Sequence, residues 1–116
     1  MSENKNYYVN EHAVVDDGVE IGEGTKVWHF SHIQSGSKIG KKCVFGQNVN
    51  VGNNVTIGDY CKVQNNVSIY EGVTLEDYVF CGPAMVFTNI LDPKCKYPQV
   101  GAQFYIKTLV KEGASI

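Results

Sequence analysis

The sequence predicts an all-β chain wound as a single parallel β-helix, and three observations predict it. From Val9 to Phe87 every sixth residue is apolar, with none skipped or added: Val9, Val15, Ile21, Val27, Ile33, Ile39, Phe45, Val51, Ile57, Val63, Ile69, Leu75, Cys81 and Phe87. Neither the 3.6-residue period of a helix nor strict alternation selects that spacing alone, whereas six-residue repeats belong to parallel β-helices. Four residues after each mark the side chain is mostly small or aliphatic, as at Ala13, Thr25, Ser37, Cys43, Val55 and Val67. Gly recurs one residue after the mark (Gly22, Gly40, Gly46, Gly52, Gly58, Gly82), and Gly or Asn three after it (Gly18, Gly24, Gly36, Asn48, Asn54, Asn66, Gly72). Both columns are expected to supply the φ > 0 conformations that sharp corners need. Each hexad then provides one large inward residue, one smaller inward residue and a corner, and three hexads close a triangular coil.

In chain order, residues 1–8, with Tyr7 and Tyr8, read as a lead-in or partial cap. Residues 9–87 form the hexapeptide-repeat β-helix, with coils at 9–26, 27–44, 45–62 and 63–80 and a fifth beginning at Cys81. The spacing stops after Phe87. Residues 88–109 carry Pro93 and Pro98, three lysines and three aromatics, and read as a loop inserted at a corner of the fifth coil. Aperiodic loops of this length are usually functional or disordered, and a rigid coil offers few other seats for chemistry. Residues 110–116 return to the β-helix, Val110 opening a hexad and Ile116 starting the next, incomplete one. Stopping there leaves a strand edge open, a liability unless covered. The expectation is a shortened form in which part of any active site is absent.

A chain of 116 residues has room for one domain. So slim a prism buries little surface per residue, and help from partner subunits is expected. A net charge of −2, with no long Lys/Arg run, gives no electrostatic footprint for nucleic acid. There is no stretch of eighteen apolar residues and no signal-peptide pattern at the start, so a cytoplasmic protein without membrane insertion is expected. Cys43 and Cys61 share one repeat column and should stack inside the coil, where free cysteines behave as small hydrophobes. No Cys-x-x-Cys pair points to a thiolate metal site.

The hexads Ile-Gly-Glu-Gly-Thr-Lys from Ile21, Val-Gly-Asn-Asn-Val-Thr from Val51 and Ile-Gly-Asp-Tyr-Cys-Lys from Ile57 resemble the hexapeptide-repeat acyltransferases. The likeness covers about residues 9–87 and resumes at Val110. It implies a left-handed coil, an exception to the usual right-handed crossover, and a homotrimer with active sites between subunits. Six blocks narrow it: Val27-Trp28-His29-Phe30, Gln64 through Tyr70, Thr74-Leu75-Glu76-Asp77, Phe80-Cys81-Gly82-Pro83, Phe87-Thr88-Asn89, and Thr108 through Ala114. Together these are similar to bacterial N-acetyltransferases that act on nucleotide-linked 3-amino sugars in O-antigen and surface-polysaccharide synthesis. The nearest type acetylates UDP-2-acetamido-3-amino-glucuronate, with dTDP-3-amino-deoxyhexoses as near alternatives. The resemblance implies acetyl-CoA as co-substrate and no metal.

Such a transfer needs an acceptor for the amine N–H, donors for a tetrahedral oxyanion and a slot for the pantetheine arm, with alignment supplying much of the rate. Asn89, standing where the coil gives way to the loop, is the first catalytic candidate. His29 and His32 are the next, as acceptors of the amine proton. Eighteen-residue steps stack His29, Gln47 and Asn65 in one outward column and His32, Asn50 and Ser68 in another. Gln47, Asn65, Glu76 and Asp77 are candidates for binding the sugar, and Lys107 and Lys111 for the phosphates of CoA. Each of these also has a structural reading, as a turn former, a solvated side chain or a surface lysine. Asn48 and Asn66 read as turn formers, and Trp28 and Tyr70 as outward aromatics at a subunit interface. Two other classes compete: a non-catalytic β-helix scaffold, and a metal enzyme like the γ-class carbonic anhydrases. The latter would need all three of His12, His29 and His32 as ligands, although His29 and His32 lie half a hexad apart.

Overall fold

The computed structural model describes residues 6–116; residues 1–5 of the expected lead-in lie outside it. The chain forms a left-handed parallel β-helix with three faces. Each hexad contributes a mark and the residue before it to a strand, then turns, so nearly every strand is two residues long. The first face holds Tyr8–Val9, Lys26–Val27, Val44–Phe45, Lys62–Val63 and Phe80–Cys81. The second holds Val14–Val15, His32–Ile33, Asn50–Val51 and Ser68–Ile69, continued by a bridge between Ser68 and Val86. The third holds Glu20–Ile21, Lys38–Ile39, Thr56–Ile57, Val73–Leu75 and Thr108–Val110. Partners are parallel and eighteen residues apart, as in Val27 with Phe45 and Ile33 with Val51.

The marks fill the interior: Val27, Ile33, Phe45, Val51, Val63, Ile69 and Cys81 are fully buried. Burying each such aliphatic or aromatic side chain contributes roughly 1.5–3 kcal/mol. The smaller inward column contains three hydroxyls that are buried and doubly bonded. Ser37 Oγ donates to the Gly52 carbonyl at 2.7 Å and accepts from the Val55 amide at 3.1 Å. Thr25 and Ser31 repeat the pattern with Gly40 and Cys43, and with Gly46 and Val49. Each hydroxyl stitches its own coil to the next. Cys43 and Cys61, in the same column, aim their thiols at the carbonyls of Gly58 and Glu76, both at 3.1 Å. Both cysteines are free.

The two glycine columns do different work, which corrects the expectation that both supply φ > 0. Among the described residues of the repeat, positive φ falls on the column three after the mark, and there even Phe30, Lys42, Tyr60, Tyr78 and Ala84 adopt it. One after the mark, Gly40 has no positive φ. A Cβ there would lie 2.6 Å from the backbone of Gly58 in the next coil, and Gly22 meets Gly40 in the same way. That column is glycine because stacked backbones pass too close for a side chain.

The fifth coil departs from the repeat. Leu75 pairs with Val110 rather than with a residue eighteen further on, so seventeen extra residues enter that coil. The chain leaves the regular coil after Asn89, makes a 3₁₀ turn at Ala102–Phe104 and rejoins the third face at Thr108. The base of the loop is tied by Ile106 N–H to the Asn89 carbonyl at 2.7 Å and by Thr108 N–H to the Gly72 carbonyl at 3.0 Å.

Candidate functional site

The corner between the second and third faces carries Ser35, Asn53, Glu71 and Asn89, each eighteen residues after the last. Asn89 is buried, and its amide donates to the Glu71 carbonyl at 2.9 Å. Asn53 donates to the carbonyl and hydroxyl of Ser35, each at 3.2 Å. Where the loop departs from this corner it opens a cleft of about 300 Å³. The cleft is lined by Gln34, Asn50, Asn53, Tyr70, Glu71, Asn89 and Tyr105, among others. Gln34 Nε2 donates to Asn50 Oδ1 at 3.2 Å, which orients two of the four carboxamides that face the space. A second cavity of about 220 Å³ lies on the third-face side and shares Glu71 and Tyr105 with the first. Asn54, Gly72, Ala102 and Lys107 complete it.

His32 stands beside this cleft, in register with Asn50 on the second face. Its Nε2 is 2.9 Å from Asp16 Oδ1. A carboxylate can only accept, so Nε2 is the donor and Nδ1 is left as the nitrogen with a lone pair.

His29 is placed differently, at the corner between the first and second faces. Asn10 Oδ1 accepts from the His12 amide at 2.9 Å, which fixes its Nδ2 as the atom facing Tyr8 Oη at 3.0 Å and His29 Nε2 at 3.3 Å. Nε2 of His29 therefore accepts, and its proton sits on Nδ1, which is buried with no hydrogen-bond partner among the described residues. The ring lies between Trp28 (centroids 6.3 Å apart) and His12 (6.0 Å). Trp28 is half-buried and packs against Tyr8 as well. Tyr70, the other outward aromatic, is exposed in the wall of the cleft.

Of the nine residues singled out in the sequence, the fold brings Asn89, His32 and Lys107 to one side of the helix and leaves the others elsewhere. Gln47 and Asn65 lie on the His29 corner, where Asn65 Oδ1 accepts from the Gln47 amide at 2.8 Å. Glu76 and Asp77 lie on the corner between the third and first faces. Asp77 Oδ1 accepts from the Asp59 amide at 2.7 Å, and Glu76 Oε1 from the Glu112 amide at 2.9 Å. Lys111 is exposed on that same corner. All four sugar-binding candidates are thus on other corners than the cleft, and Asn65, Asp77 and Glu76 hold neighbouring coils together there. His12 and His29 stack on one corner while His32 pairs with Asp16 on another element, so the three histidines do not converge.

Gln34, Asn53, Glu71 and Tyr105 were not singled out. Stepping back from Asn89 by eighteen residues reaches Glu71 and then Asn53, so the sequence held a signal for those two. Tyr105 comes from the aperiodic loop and had none.

Residues 18–53 match the bacterial transferase hexapeptide family (six repeats). No curated protein sequence matches the chain. Among solved structures, the chain is similar to two single-histidine variants of the perosamine N-acetyltransferase of Caulobacter crescentus, both crystallised with CoA and GDP-perosamine. The alanine variant is 20% identical with a TM-score of 0.55, over 69% of this chain and 47% of that one. The asparagine variant is 18% identical with a TM-score of 0.56, over 87% of this chain and 49% of that one. The chain thus spans about half the length of these proteins, and the likeness is one of fold.

Proposed function

We propose that the protein is an acetyl-CoA-dependent N-acetyltransferase acting on the 3-amino group of a nucleotide-linked sugar, in bacterial surface-polysaccharide synthesis. The observation that carries this reading is the carboxamide-lined cleft, opened where the one inserted loop leaves a hexapeptide β-helix. The hexapeptide-transferase match supports it, as do similarly folded proteins that bind CoA and a nucleotide-linked amino sugar. The working unit in this reading is a cytoplasmic homotrimer, with neighbouring subunits completing each site.

The amine nitrogen forms a bond to the acetyl carbonyl carbon, the thioester C–S bond breaks, and the nitrogen loses a proton as the thiolate gains one. The residues of the cleft hold and orient the sugar, so that little beyond positioning is asked of them. Asn89 sits at the departure of the loop, where its side chain reaches both the cleft and the Glu71 carbonyl. His32 is the better proton acceptor of the two histidines, because Asp16 leaves its Nδ1 lone pair free while the Nε2 lone pair of His29 already accepts from Asn10. Lys107, in the second cavity, is suited to a phosphate of CoA.

Thermal melting with and without acetyl-CoA tests the reading. A ligand that binds only the folded state raises the melting temperature, by about 2.7 kcal/mol of stabilisation at a hundred times its dissociation constant. A rise with acetyl-CoA is expected; an unchanged melting temperature at millimolar acetyl-CoA would favour the non-catalytic scaffold.

A further inference from the structure

We infer that the Glu71 carboxylate anchors the ammonium form of the acceptor's amino group and so selects an amino sugar over its hydroxyl counterpart. The inference rests on the transferase reading and deepens it. Among the described residues, Glu71 is the one acidic residue lining these two cavities, and it lines both. Its position is held from two sides: Asn89 donates to its carbonyl at 2.9 Å, and Asn54 donates to Oε2 at 3.4 Å. No ion pair among the described residues uses its charge.

The other polar groups of the cleft cannot make this distinction. The carboxamides of Gln34, Asn50, Asn53 and Asn89 are neutral and hold both donors and acceptors, so they satisfy a hydroxyl as well as an amine. An aliphatic amine titrates near or above neutrality and arrives largely as an ammonium, with three donors and no acceptor. A hydrogen bond from that cation to a carboxylate is roughly twice as strong as one between neutral groups. Glu71 also shares its corner with Asn89. Before it attacks, the ammonium gives up one proton to water, and the neutral amine stays on the corner that Glu71 shares with Asn89.

The test is titration calorimetry with UDP-2-acetamido-3-amino-glucuronate and with the same nucleotide sugar bearing a 3-hydroxyl. Wild type is expected to prefer the amine by about tenfold or more. Glu71→Gln, which keeps an acceptor for Asn54, is expected to abolish that preference while leaving affinity for the hydroxyl sugar within about twofold. Glu71→Asp, which keeps the charge, should retain more of the preference than Glu71→Gln. A preference undiminished in Glu71→Gln, or lost equally in both variants, would overturn the role of Glu71. Equal binding of the two sugars by wild type would also overturn it, and leave the transferase reading standing. Binding of neither sugar by wild type would overturn both.

Discussion

The side-chain amide of Asn89 donates to the main-chain carbonyl of Glu71, 2.9 Å away and eighteen residues earlier in the chain. That one bond closes the last regular corner at the point where the loop begins. It ties the geometry of the cleft to the stacking of the coils, so a change at Asn89 should be felt in both.

Asn89→Ala removes a buried donor and leaves the Glu71 carbonyl without it. A loss of about 1–2 kcal/mol is expected in denaturant unfolding. Turnover should fall by more than affinity for acetyl-CoA does. Unchanged stability together with unchanged turnover would remove Asn89 from both roles.

The two glycine columns should respond differently to a methyl group. At Gly24, φ is +79° and the nearest atoms to an added Cβ belong to the flexible side chain of Lys42, so Gly24→Ala should cost about 1–2 kcal/mol of left-handed strain. At Gly40 an added Cβ meets the Asp59 carboxylate and, at 2.6 Å, the backbone of Gly58, which cannot move without shifting a coil. Gly40→Ala should cost more than about 3 kcal/mol, at or beyond the usual range for overpacking. Equal costs would mean that close approach is not what keeps that column glycine.

Ser37→Ala strips a bonded hydroxyl from the interior and leaves the Gly52 carbonyl and the Val55 amide without that partner. About 2 kcal/mol of destabilisation is expected. Ser37→Cys should be milder, because Cys43 and Cys61 already make the equivalent carbonyl contact in the same column. Equilibrium unfolding of the two variants decides it, and a cysteine variant no better than the alanine one would count against this bond between coils.

Burial pushes the Cys81 thiol up to about 11, from an ordinary value of 9.0. The Cys61 thiol stacked in the next coil, followed by burial, pushes Cys43 up as well. For Cys81 the unfolded chain ionises first, so between about pH 9 and pH 11 it binds fewer protons than the folded one, and stability falls as pH rises. The Cys81 contribution lost is ~1.4 kcal/mol per pH unit across that window, and Cys81→Ala should flatten the slope. In thiol titration of the native protein only the exposed Cys95 should react, and the other three only after unfolding.

Much of this architecture could be read from the residues. The run of marks from Val9 to Phe87 fixes which side chains face inward, and eighteen-residue addition alone pairs His32 with Asn50 and Val27 with Phe45. The column of Gly40 was legible as glycine but misread as to cause, since a close backbone approach leaves no mark that differs from a φ > 0 requirement. The site was legible only in part. Asn89 and His32 lie where the repeat breaks or faces outward, but which of three corners carries the cleft depends on how the loop folds back. Its ties through Ile106 and Thr108 follow no period. Glu76, Asp77 and Asn65 share the residue types of a sugar site, and in the fold each accepts a backbone amide of a neighbouring coil.

The most direct measurement is a transfer assay: acetyl-CoA with UDP-2-acetamido-3-amino-glucuronate, following thiol release and the mass of the sugar nucleotide together. The account predicts thiol release that depends on the amino sugar and matches the formation of its N-acetyl product, and that is lost when the 3-hydroxyl counterpart is substituted. Acetyl-CoA binding without any acetylated product, or thiol release indifferent to the amino sugar, would contradict it.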